Sequence, residues 1–413
     1  MKVLWITIMV LPEACNAMGL KPSVLGGWMQ SAASELVKNP DIELAVAATY
    51  SGRQYRKAQV GRITYYLLPC KNPSRYDARL KYYWNQVRQD FKPDVVHLHG
   101  TEFPLGLAYV DACGSKRVVV SIQGLVGECA KNYHNGMTKW EVVSNTTLHD
   151  LLLGTIRGRQ RDFARRGKYE KMLLSKIDNV VGRTSWDRSL TESIRPERHY
   201  FFCNETLRPQ FYESRWRYGD CVPHTIFVVS QANYPLKGLH QLLKAMPMVL
   251  QQYPDTQVRV AGDKVMPTDR LHNMAYAKYL RKLIKKNRLE GHITFLGALA
   301  AGQVRDEMLR ANMYVLPSTI ENSSNSLGEA QLMGVPCVAA RVGGVSDMVP
   351  DEMCGTLYEF DNIEGMAQSI CSTFEQSCRF DNTEMRRMAQ ERHNPEINRN
   401  QLIEIYHKVR GII

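Results

Sequence analysis

From Met313 to Val349 the chain reads MYVLPSTIENSSNSLGEAQLMGVPCVAARVGGVSDMV, and this order of residue types admits few folds. Met313 to Leu316 is an apolar run of strand type, stopped by Pro317. Ser318 to Asn325 is too polar to bury itself and reads as a loop. The pattern predicts a helix beginning near Ser326, with Leu327, Ala330, Leu332 and Met333 on its buried side. Gly334 then falls where a left-handed stop is needed, and Pro336 prevents continuation. Cys337 to Ala340 is the next strand. Strand, loop, helix and strand in this order place a helix N-terminus at the carboxyl end of a parallel sheet, where backbone N–H groups and the helix dipole favour a phosphate.

Two carboxylates flank that spot, Glu321 in the loop and Glu329 in the first helical turn, with seven residues between them. Beside a diphosphate, carboxylates are repelled unless they have hydroxyls to bind. The pair therefore suits a ligand with a charged middle and a diol at each end, as a nucleoside diphosphate sugar has. A plainer account fits the same residues, since Ser326 and Glu329 match the S-x-x-E capping box and loop glutamates are commonly just solvated.

The rest of the chain repeats the strand and helix alternation. Strands are expected at Val3 to Leu11, Ile42 to Thr49, Ile63 to Leu68, Pro93 to His99 and Arg117 to Ile122, and again from His224 to Ser230, Gln257 to Gly262 and Ile293 to Gly297. His97 and His99 share a face of their strand, and His99 stands at its carboxyl end, where ligands collect; a histidine there also serves simply to satisfy a backbone carbonyl. Gly26-Gly27 precede a helix and let backbone approach a ligand closely, or make an ordinary turn. Lys237 lies in a strand-to-helix loop, as many surface lysines do. Gly124 to Leu153 reads as a mobile loop. With 413 residues and 44% hydrophobic content, the chain divides into two α/β domains of about 200 residues: residues 1–208 and 209–394, with a terminal helix at 395–413 returning to the first.

The spacing of Glu321 and Glu329, followed by Gly334-Val335-Pro336, a strand and Gly343-Gly344, resembles the E-x7-E signature of the retaining glycosyltransferases of family 4. Pro93-Asp94-Val95-Val96-His97-Leu98-His99-Gly100 is similar to a stretch that members carry, and Lys237-Gly238 resembles the end of their G-R-x-x-x-K-G turn. The resemblance implies the GT-B architecture of two Rossmann-like domains facing a cleft. It implies a catalytic set of Glu321, Lys237 and His99, and donor contacts from Gly26, Gly27, Gln123, Asn325, Ser326, Leu327 and Glu329. In the family the two glutamates bind the donor sugar and the ribose, the intervening backbone holds the diphosphate, and attack comes on the face the leaving group departs from. Two departures stand out. Gln123 occupies a corner where many relatives have histidine, and an amide cannot carry a proton; Gln231 or Asn233 occupies the neighbourhood of the expected arginine.

The implied function is transfer from a UDP or GDP type sugar donor, a substrate and not a cofactor, to a saccharide or lipid-linked acceptor in cell-surface polysaccharide biosynthesis. The rival readings are an epimerase or phosphorylase on the same architecture, or a glycan-binding protein with a decayed site. No Asp-x-Asp cluster stands at a strand end to hold a metal. Ten cysteines occur singly, which suits a reducing cytosol. Met1 to Val10 reads as a buried strand in place of a signal peptide. The net charge of +12 concentrates in Arg157 to Lys171 and Lys278 to Arg288, without a nucleic-acid-binding motif. Those runs read as solvated helix faces or as contacts with an anionic membrane, giving a cytoplasmic protein with peripheral contact to the inner membrane face.

Overall fold

The computed structural model describes residues 1–21, 27–148, 150, 154–230, 234–262 and 274–411. The chain divides into two compact units, Met1–Glu128 with Asp162–Leu207 and His393–Ile413, and Cys129–Arg161 with Arg208–Arg392.

The first unit is built on an eight-stranded sheet. Its strands are β1 (Lys2–Thr7), β2 (Glu43–Tyr50), β3 (Arg56–Val60), β4 (Ile63–Pro69), β5 (Val95–His99), β6 (Val118–Ser121), β7 (Asn179–Gly182) and β8 (His199–Phe202). They lie in the order β3-β4-β2-β1-β5-β6-β7-β8. Every pairing is parallel except β3 with β4. Strands covered on both faces need continuous apolar sequence, and β1 and β5 are buried along almost their whole length. RKAQV in β3 alternates in exposure, as an edge strand should. The first strand stops at Thr7, short of the expected Leu11, because Pro12 takes the N1 position of a short helix, Pro12–Ala17. The terminal helix Pro395–Gly411 packs on this sheet: Ile405, Tyr406 and Val409 join Val3, Trp5 and Val95 in one core cluster.

The second unit has six strands: β9 (Thr225–Val229), β10 (Gln257–Ala261), β11 (Ile293–Gly297), β12 (Met313–Leu316), β13 (Cys337–Ala340) and β14 (Thr356–Tyr358). Their order is β11-β10-β9-β12-β13-β14, and all pairings are parallel. Numbered within the unit this is 3-2-1-4-5-6, the doubly wound order.

The chain passes from one unit to the other between Leu207 and Arg208, and Cys129–Arg161 counts with the second unit. The described part of the stretch expected to be a mobile loop folds into helices Val126–Lys131 and Lys139–Ser144. Thr138 and Glu141 close a full capping box on the latter. The segment is tied to the Leu239–Gln252 helix, with His240 Nε2 2.8 Å from the Asn135 carbonyl and Lys244 Nζ donating to that of Gly136.

The basic helix Ile156–Lys176 is not one solvated face. Arg166 is buried, donates to the Glu102 carbonyl and sits over the rings of Phe103 and Phe163, while Arg165 pairs with Asp162.

Candidate functional site

In the second sheet the chain leaves β9 toward β10 on one side and returns at β12 on the other. The loops after these two neighbouring strands therefore diverge and open a crevice at the carboxyl edge. The predicted residues of this unit come from those two loops and the helix after the second. Lys237 ends the short turn Pro235–Lys237, and its Nζ lies 2.5 Å from Glu321 Oε1; Ser318 Oγ donates to the same oxygen at 2.8 Å. Both members of the pair are largely shielded, with side chains 29% and 16% exposed, so neither is a freely solvated loop residue.

Two glycines make this approach possible. Gly238 has φ +65°, and a Cβ on it would fall 1.6 Å from the Pro317 carbonyl oxygen, so any other residue would push the two loops apart. Gly343 has φ +54°, with the Glu321 carbonyl oxygen 1.9 Å from where its Cβ would be, and Gly344 N–H donates to that same oxygen at 3.0 Å. The glycine pair after β13 thus holds the backbone of Glu321 in place.

The helix runs Asn325–Met333, one residue earlier than expected. Its N-cap is Ser324, whose Oγ accepts from Leu327 N–H, so the Ser326–Glu329 capping box does not form. Ser326 Oγ instead lies 2.7 Å from Tyr314 OH. The first N–H groups of a helix have no intrahelical partner, and Asn325 and Ser326 present theirs at the crevice edge. Asn325 Oδ1, together with Ser230 Oγ just after β9, is buried with no hydrogen-bond partner among the described residues. Buried polar atoms of this kind call for a ligand or water.

Glu329 faces a partner that sequence reasoning missed. Arg208 clasps it with both arms, Nε to Oε1 at 2.6 Å and Nη2 to Oε2 at 2.7 Å. The Glu329 side chain is 4% exposed and that of Arg208 23%. Burial raises the carboxyl pKa, and the hydrogen bonds and charge of Arg208 oppose that shift. A carboxylate accepts up to about four hydrogen bonds, so the clasped group retains capacity for a diol. No local pattern announces Arg208; only the rule that a buried carboxylate needs a partner would have asked for one. Gln231 and Asn233 lie outside the described residues.

In the first unit the order reverses between β1 and β5, which again marks the carboxyl edge as a ligand position. A pocket of about 570 Å³, open mouth included, is lined there by Trp5, Trp28, His99, Gln123, Arg183 and Glu205, among others. His99 and Gln123 are thus brought together. The His99 ring stacks 3.9 Å from that of His97 and 4.3 Å from that of Trp5. Neither of its nitrogens has a hydrogen-bond partner among the described residues, so the carbonyl-satisfying role is not what holds it. Burial, reinforced by His97, pushes its pKa far down and keeps the imidazole neutral. His97 is held between Tyr406 OH at 2.7 Å and Ser121 Oγ at 2.5 Å. Gly27 opens the helix Gly27–Leu36, whose next residue, Trp28, has its ring 6.5 Å from that of His99; Gly26 lies outside the described residues.

Three further groups of this unit carry no sequence signal. Arg183 and Glu205 form a buried ion pair at 2.6 Å. Glu102 is pushed up to about 7, chiefly by burial and in part by Glu170. The space above Gly100 where a Cβ would point is taken by Glu102 Oε2 and the Gln123 side chain, so a titratable carboxyl stands beside the amide. Among the described residues no three His, Cys, Asp or Glu side chains group as a metal site.

Residues 220–393 match the family model described as Glycosyl transferases group 1. The gpi3 subunit of phosphatidylinositol N-acetylglucosaminyltransferase from Schizosaccharomyces pombe is 31% identical over 129 residues, 31% of this chain and 26% of that protein. The aligned stretch thus spans about a quarter of the length of this curated relative. Sucrose-phosphate synthase from Thermosynechococcus elongatus superposes with a TM-score of 0.72 over 98% of both chains at 14% identity. Anabaena Alr3699/HepE in complex with UDP and glucose does so with a TM-score of 0.65 over 98% of both chains at 16% identity. Residues 220–393 thus resemble glycosyltransferases of group 1, and the fold of the chain is the α/β, two-domain GT-B fold.

Proposed function

We propose that the protein is a retaining, metal-independent glycosyltransferase that moves a sugar from a UDP- or GDP-linked donor to a saccharide or lipid-linked acceptor. The observation that carries this reading is the seating of Glu321 against Lys237 and Ser318, on the same sheet edge as the N-terminus of the helix that bears Glu329. Cation, helix N-terminus and two carboxylates together match a ligand with a diphosphate between two polyols.

In the proposed reaction the bond between the anomeric carbon and the diphosphate oxygen breaks. Lys237 and the N–H groups of Asn325 and Ser326 stabilise the charge that develops on the leaving oxygen. Glu321 holds hydroxyls of the sugar as it gains oxocarbenium character, and Glu329 holds the ribose. An acceptor hydroxyl attacks on the face being vacated; its oxygen forms the new glycosidic bond, and its proton passes to the departing diphosphate. Within the first unit, the neutral His99 and Gln123 offer hydrogen bonds at that unit's own carboxyl edge. UDP and glucose in the Anabaena structure support the donor class. The phosphatidylinositol acceptor in the name of the fission yeast relative supports a lipid-linked acceptor. We place the reaction in cell-surface polysaccharide biosynthesis, in the cytoplasm and at the inner membrane face.

The test is a thermal-shift screen with UDP, GDP and ADP sugars, followed by NMR of the anomeric proton in the product. Stabilisation by one donor class and an unchanged anomeric configuration are expected, since a ligand of the folded state raises Tm by mass action. No shift with any nucleotide sugar would favour the decayed-site reading, and an altered free sugar nucleotide would favour an epimerase.

A further inference from the structure

A soluble domain seldom leaves large apolar side chains in open water side by side. On the second unit Trp140 is 76% exposed, Val143 47% and Leu148 83%. Trp140 and Val143 lie three apart on the Lys139–Ser144 helix and so share a face. Their exposure is fixed from the other side: Val142 is buried, and Glu141 accepts from Tyr279 OH at 2.8 Å. The helix is therefore held with its apolar face outward.

Tyr279 belongs to the Ala275–Lys286 helix, which supplies the second half of the surface. At about 100° per residue, Lys278, Lys282, Lys285 and Lys286 fall within roughly a third of the helix circumference, on the arc that adjoins Tyr279. The opposite arc holds Tyr276, Leu280, Leu283 and Ile284, all buried. Burial, and in lesser part Lys286, depresses the pKa of Lys244, whose Nζ donates to the Gly136 carbonyl just ahead of the Lys139–Ser144 helix.

We propose that this face, exposed Trp140, Val143 and Leu148 beside the lysine stripe, docks on an anionic lipid bilayer. A tryptophan seats at the level of lipid headgroups, aliphatic side chains enter the acyl boundary, and lysines meet anionic headgroups. A protein partner would offer apolar groups for the first three residues but has no stated reason to carry a broad negative field opposite the stripe. Among the described residues no helix is long and apolar enough to cross a membrane, so the contact is with the surface. The assignment differs from a membrane role for Arg157 to Lys171, where Arg166 is buried and Arg165 already paired. It deepens the peripheral location proposed above but does not depend on sugar transfer.

The test is flotation of the full chain with phosphatidylcholine vesicles, with and without phosphatidylglycerol, at low and high salt, alongside tryptophan emission. Binding to the anionic vesicles at low salt, a blue shift and release by salt are expected. Trp140→Ser with Leu148→Ser should abolish the blue shift. Lys282→Gln with Lys285→Gln should weaken binding by roughly twenty-five-fold, from about fivefold per lysine near the surface. Arg157→Gln with Lys171→Gln should change it little. Unchanged melting temperatures and UDP titrations on the same variants keep this test separate from the donor reading. Failure of the parent protein to float with anionic vesicles, or equal flotation of both first variants, overturns the proposal.

Discussion

Arg208→Met should expose how the proposed donor site is held. It leaves Glu329, 4% exposed, without a counter-charge in a place where burial already raises its pKa. Removing one partner of a buried pair commonly costs about 3 to 5 kcal/mol. Here an escape sets a ceiling, because the carboxyl can take a proton. From an ordinary value near 4.5, protonation at pH 7 costs about 3.4 kcal/mol, and at pH 5 less than about 1 kcal/mol. The variant should therefore lose roughly 3 kcal/mol at pH 7 and about 1 kcal/mol at pH 5. The sign follows from linkage: without Arg208 the folded pKa of Glu329 lies above its unfolded value, so stability is greatest below about 4.5 and falls as pH rises toward the folded value. Adding Glu329→Gln removes the buried charge and should recover most of the stability at pH 7. It should not recover donor affinity, because hydrogen bonds to the carboxylate are worth about 1.5 to 3 kcal/mol, roughly ten- to a hundredfold in Kd. Urea unfolding at the two pH values and calorimetric titration with UDP read the two effects separately. A loss independent of pH, or a double variant no more stable than Arg208→Met, would refute the reasoning.

Lys237→Ala should lower turnover by about a hundredfold or more, as removal of one preorganised donor to a leaving group does; steady-state kinetics at saturating donor would reveal an unchanged rate if Lys237 only braces Glu321. EDTA should leave transfer unchanged, and activity that vanished with chelation and returned with manganese would sink the proposed charge compensation. Glu102, held at about 7 by burial, keeps a proton that the unfolded chain releases near 4.5, so its contribution to stability is present below about 4.5 and lost as pH rises through 7. Glu102→Gln should consequently gain on the parent by roughly 3 kcal/mol between pH 4.5 and pH 8. Paired melting curves check this, and a gap that stays constant with pH would show the carboxyl to be ionised throughout.

Where the fold rests on neighbours in sequence, the sequence alone determined it. The strand from Met313, the stop at Pro317, the helix ended by Gly334 and the strand from Cys337 all follow from apolar runs and breakers acting over a few residues. The alternation of strands and helices likewise announced two α/β domains, and the resemblance of the Glu321 and Glu329 spacing to the E-x7-E signature marked a candidate site. Tertiary structure decided what depends on partners far along the chain. Arg208 stands 121 positions from Glu329, and Tyr406 stands 309 from the His97 it holds. The sequence of Gly124 to Leu153 reads as a mobile loop, whereas contacts with second-unit residues such as His240, Lys244 and Tyr279 assign Cys129–Arg161 to that unit. The capping box at Ser326 was a fair local inference, but Ser324 already capped the helix and burial had turned Glu329 toward Arg208. Local patterns report which surface a residue wants to hide, whereas the charge that answers a buried carboxylate is chosen by the folded chain.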